Sequence, residues 1–160
     1  MRHPARAALL ALLLAAASLG GCSGFSIGVR QDEEDQARLF EAVAARGPGD
    51  RFPARALLDR RWTRLFVFRG GIATQAVEDR IAIPFPQSGE ETPRTSSYLV
   101  FADDEQVISA FSLVTPPGVG AGCLLADRAP LTPGTPLTLV PDGSGGGSRL
   151  STVAAAGLCR

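Results

Sequence analysis

The sequence predicts an α+β domain: an N-terminal helix and a short second helix packed on a small antiparallel sheet of four to five strands. Three observations carry this. Residues 32–47, DEEDQARLFEAVAARG, open on four acids and set Leu39, Phe40 and Val43 on one apolar face. SYLVFA and QVISAFSLV flank Asp103-Asp104-Glu105, the pattern of a β-hairpin with an acidic tip. Strands elsewhere come in runs, without the regular alternation with helices that a parallel sheet demands.

Each element has its own local reason. The acids of 32–35 complement a helix N-terminus, and Arg46 before Gly47 suits its C-terminal end. Pro48 and Gly49 stop that helix, and FPARALL, residues 52–58, is a short connection with room for one helical turn. Trp62 to Phe68, in RWTRLFVFRGG, is aromatic and β-branched and reads as a strand buried on both faces at its end. A short helix follows over Ile72 to Ile81, with Thr74 as its expected cap and Val77 and Ile81 on one face. FPQSGEETPR, bracketed by prolines, is expected as an exposed, mobile loop before the hairpin. Beyond Thr115 the pattern is a PPGVGAG loop, a short strand over Cys123 to Ala126, and a further strand at Pro136-LTLV. A Gly/Ser run ending at Ser148 is a flexible loop, too short to separate domains, and Leu150 to Leu158 is a tail.

Candidate functional residues are few. On a strand Trp62 and Arg64 would face the same side, together with Phe66 and Phe68. Exposed, Trp62 and Arg64 would form an aromatic and guanidinium binding patch. The favoured alternative sets Trp62 in the core with Arg64 lying over it. The acids at 32–35 read as a solvated helix turn in preference to a cation site. Asp103-Asp104-Glu105 reads as a solvated hairpin turn, because no EF-hand spacing or glycine follows. Glu78, Asp79 and Glu105 are among the carboxylates a hydrolase or glycan-modifying enzyme would draw on, if two of them met across a cleft. A small-molecule or lipid carrier would instead need a large apolar pocket.

The absences exclude more. There is no lysine, and the one histidine is His3. Without lysine there is no Schiff-base or P-loop chemistry. If the leader is removed, His3 goes with it, and with it Ser-His-Asp chemistry and imidazole zinc sites. No catalytic set, metal or cofactor is expected, and an activity other than catalysis is favoured. Loss of Arg2 and Arg6 leaves 14 basic against 16 acidic side chains, with no basic stripe for nucleic acid.

The leader itself is specific. Arg2 and Arg6 precede an apolar run, Ala7 to Ala17, which is short of the roughly 20 residues a spanning helix needs. It leads to Leu19-Gly20-Gly21-Cys22, which resembles the lipobox of bacterial lipoprotein precursors. The resemblance implies a signal peptide over 1–21, diacylglyceryl transfer to the Cys22 sulfur, cleavage before Cys22 and acylation of the new amine. Two or three acyl chains bind a bilayer durably, at about 0.8 kcal/mol per buried CH₂. It implies a membrane partner through the lipid, residues 22–30 as a flexible tether, and 31–160 as one domain in the cell envelope. Ser23 following Cys22 favours the outer membrane, facing the periplasm, in a Gram-negative cell. An envelope protein is then the expected partner.

With Cys22 lipidated, Cys123 and Cys159 remain as a pair in an oxidising compartment, which is most simply a disulfide. It would close a loop of about 37 residues, worth roughly 4 kcal/mol in loop entropy. Finally, Trp62, Arg64, Phe66 and Phe68, followed by a short helix and the hairpin, are similar to a pattern in small uncharacterised bacterial lipoproteins and secreted proteins. That likeness implies a small α+β fold and no particular activity. Where that group often has Pro-Tyr after the strand, this chain has Arg69-Gly70-Gly71.

Overall fold

The computed structural model describes residues 31–85, 91–92, 97–113, 119–120, 124, 129–142 and 147–156. Cys22 and its leader, the tether, Cys123 and Cys159, and most of the expected loops at 85–94 and 116–122 lie outside them. Helix α1 spans Glu33–Ala44 and α2 spans Thr74–Ile81. The strands are β1 (Arg51–Pro53), β2 (Arg64–Arg69), β3 (Ser97–Ala102), β4 (Val107–Leu113), β5 (Val119–Gly120), β6 (Pro136–Asp142) and β7 (Gly147–Thr152). The connection after β1 holds the expected helical turn, a 3-10 turn over Ala54–Leu57.

The α+β class holds, but the single sheet of four to five strands is corrected to two sheets. One is the antiparallel meander β2-β3-β4. The other joins β1, β6 and β7 antiparallel, with the two-residue β5 parallel to β7 at its edge. β2 also reaches the segment ahead of β6 through an isolated bridge, where Leu65 and Leu131 exchange both backbone hydrogen bonds at 2.8 Å. The next rung on that side would need an N–H from residue 133, which is proline. The Pro133 carbonyl accepts from Arg55 instead, so the ladder ends after one step.

The meander is buried on both faces, which explains its unbroken apolar text. Leu65, Val67, Leu99, Phe101, Phe111 and Leu113 face a core shared with α1, the 3-10 turn, β1, β6 and β7. Phe66, Phe68, Tyr98, Val100 and Ala110 face a second core closed by Val77 and Ile81 of α2 with Ile83 and Phe85. Each large side chain sealed this way contributes about 1.5–3 kcal/mol.

Several local expectations change. Phe85 and Thr92 are buried, so the ends of the loop expected to be exposed belong to the core region. Thr92 joins Gly71 and Ile72 through backbone bonds of 2.9 and 2.8 Å. Thr74 is the first residue of α2; the cap is Ala73, without a side-chain bond. The expected tail begins inside β7, whose register on β6 pairs Leu150 with Leu139. Of the expected strand at 123–126 only Leu124 is described, and it is buried.

The acidic start of α1 is not a solvated turn throughout. The Asp32 carboxylate accepts the Ala110 N–H at 2.8 Å and the Ser109 hydroxyl at 3.2 Å. Its backbone N–H donates to the Ala110 carbonyl at 2.9 Å. The Gln31 amide brackets Ser112, accepting its N–H at 2.8 Å and donating to its hydroxyl at 3.0 Å, while Gln36 donates to the Ser112 carbonyl. Three side chains and one amide thus complete the outer edge of β4 where another strand would sit. Asp35 lies four residues before Leu39 on the buried stripe and is itself buried, 3.3 Å from Arg60. That contact is an ion pair without a hydrogen bond, and Asp35 Oδ2 has no hydrogen-bond partner among the described residues.

Candidate functional site

The hairpin tip is built by its first acid. Asp103 Oδ1 accepts the N–H groups of Glu105 and Gln106, both at 2.8 Å, and the Asp103 N–H donates to the Gln106 carbonyl at 3.1 Å. The β3–β4 register shifts beside it, between Phe101 and Ala102, which lets the turn tighten. The N–H groups of Glu105 and then Gln106 hold the Asp103 carboxyl below its ordinary value of 3.8. Asp104 and Glu105 project outward and are exposed.

Beside the tip lie the residues that lead into β2. Thr63 donates its N–H to the Ala102 carbonyl at 2.9 Å. Arg64 Nη2 donates to the Asp103 carbonyl at 2.8 Å and stands 3.7 Å from Asp104 Oδ1. Its guanidinium also lies 5.7 Å from the Phe66 ring centroid, and its buried Nε has no hydrogen-bond partner. Arg61, Thr63, Asp103, Asp104 and Glu105 line an open cleft of about 350 Å³. All five lining residues are charged or polar types, whereas a lipid carrier lines its pocket with apolar side chains.

Trp62 and Arg64 therefore do not form one exposed patch. β2 starts at Arg64, so Trp62 precedes the strand and escapes its alternation. Trp62 is buried edge-on against Phe101, at 5.3 Å and 75°, in the core on the α1 side. Arg64 lies over Phe66, on the opposite face of the meander, and not over Trp62. What the sequence missed is the pairing of Arg64 with the hairpin tip. The signal was present in the antiparallel register, which sets Arg64 opposite Ala102 and so beside Asp103.

Of the three carboxylates considered for hydrolysis, Glu105 alone lines the cleft. Glu78 and Asp79 sit on α2, where Asp79 accepts from Gln75 at 3.1 Å. The acids in the cleft come from one turn, and Asp103 is held toward ionisation, the opposite of what a general acid requires. Among the described residues no three His, Cys, Asp or Glu side chains converge as a metal set. No helix of the described residues is long and apolar enough to cross a membrane.

Compared with known proteins, the chain matches no family model, no curated sequence and no solved structure.

Proposed function

We propose that this chain is a lipid-anchored lipoprotein of the cell envelope whose α+β domain is a binding module and not an enzyme. The observation that carries it is Leu19-Gly20-Gly21-Cys22 behind a charged start and a short apolar core. Cys22 takes the lipid, Cys123 and Cys159 pair in the oxidising space, and the domain faces the periplasm from the outer membrane. Two further features support it. A chain cut before Cys22 has neither histidine nor lysine, which removes most nucleophilic and acid–base machinery. The rim of Arg61, Thr63, Asp104 and Glu105 offers mixed charge, suited to docking a polar envelope protein.

Metabolic labelling with radioactive palmitate in a bacterial host tests the anchor. The wild type is expected to carry label and to have lost residues 1–21 by mass, while Cys22→Ser carries none. An unlabelled wild type, or label surviving in Cys22→Ser, overturns the proposal.

A further inference from the structure

The polypeptide joins the folded domain at one end of the meander, and the acidic tip stands at the other. Gln31 is bonded to Ser112 and Asp32 to Ala110, so this segment runs antiparallel to β4 and meets it one residue from the end of the strand. Leu113 pairs with Ser97, and Ser97 with Arg69, so exposed Arg69 marks the same end. Asp103, Asp104 and Glu105 lie beyond Val107, at the far end. Val107 and Ser112 are five strand steps apart, roughly 17 Å.

From these positions we infer that the domain hangs from the membrane by the Ser112 end of β4, with the acidic hairpin tip and its cleft turned toward the aqueous space. This rests on the lipid anchor at Cys22 proposed above. Eight residues separate Cys22 from Gln31. Fully extended, the nine steps from Cys22 to Gln31 reach at most about 32 Å, less than the diameter of about 36 Å that a domain of this size has. The Gln31–Asp32 clamp keeps that reach from lengthening, because residues 31 and 32 are bonded into the β4 edge.

The test uses mature, lipidated protein in vesicles of phosphatidylethanolamine and phosphatidylglycerol, with energy-transfer acceptors on the headgroups. A genetically encoded fluorescent residue replaces Arg69 in one variant and Glu105 in another, both exposed. Transfer is expected to be at least twofold more efficient from position 69, and Gln31→Ala with Asp32→Ala should bring the two positions together. Equal transfer, stronger transfer from position 105, or a difference that survives the double substitution overturns the inference while leaving the anchor intact. Protein that does not sediment with the vesicles overturns the anchor, and the orientation with it.

Discussion

At the start of α1, the cap residue Asp32 grips the edge of β4 and Asp35, in the first turn, is sealed against Arg60. At the hairpin tip, Asp104 and Glu105 stand in solvent, and Asp103 bonds its own turn. The two stretches look alike as text, each a run of adjacent acids. They differ in what the fold brings beside them. α1 follows a segment that lies along the β4 edge, where no other described strand pairs, so the Asp32 carboxylate and the Gln31 amide substitute for backbone acceptors. The tip projects past both cores, so its acids meet water.

The sharpest way to break this contrast is at Arg60. Removing it by Arg60→Ala leaves the buried Asp35 carboxylate without its ionic contact among the described residues and, because Arg60 is half-exposed and screened by water, should cost about 2 kcal/mol in a urea titration. Asp35→Leu removes the demand itself and should be close to neutral. Equal losses from the two substitutions would show that Asp35 is not a buried charge in need of a partner.

A smaller effect is expected at Asp32. Asp32→Ala strips two acceptor contacts from β4 and should cost about 1.5 kcal/mol, whereas Asp32→Asn keeps an acceptor and should lose less than half of that. At the tip, Asp103→Ala should leave global stability nearly unchanged and speed amide exchange at Glu105 and Gln106 severalfold. This local order also has a pH signature. Asp103 has a folded-state pKa below 3.8, so its contribution is complete above the unfolded value and is lost as pH falls through the lower, folded one. Protection of those two amides should therefore persist around pH 5 and fade below about 3.8 in the wild type, and be missing at both in Asp103→Ala. Smallest of all, Asp104→Ala removes a 3.7 Å contact from a solvent-facing carboxylate and should not move the urea midpoint.

The sequence made some of this legible and concealed the rest. The β3–β4 hairpin could be read because two β-branched and aromatic runs flank one polar turn, all within local range. α1 could be read because its acidic start and apolar period agree, although it ends at Ala44 with Ala45 as its cap, ahead of Arg46 and Gly47. The burial of Asp35 was also visible in principle, since Asp35, Leu39 and Val43 fall four residues apart on one stripe. The division into two sheets was not legible. Runs that are apolar on both faces are compatible with one wide sheet or with a layer between two cores, and tertiary packing decides between them. β7 was missed because Arg149, Ser151 and Thr152 give a weak strand signal that only pairing with β6 completes. At Trp62, starting the strand two residues too early placed its side chain on the wrong face.

The closure of β4 by side chains has a practical consequence for anyone shortening this protein. A fragment starting inside α1, after Asp32, would lose the groups that satisfy Ala110 and the Ser112 N–H, leaving adjacent rungs of an apolar strand open to a second molecule. Such a fragment is a candidate for fibrous self-pairing even with both hydrophobic cores complete, and fragments meant to stay monomeric should begin no later than Gln31.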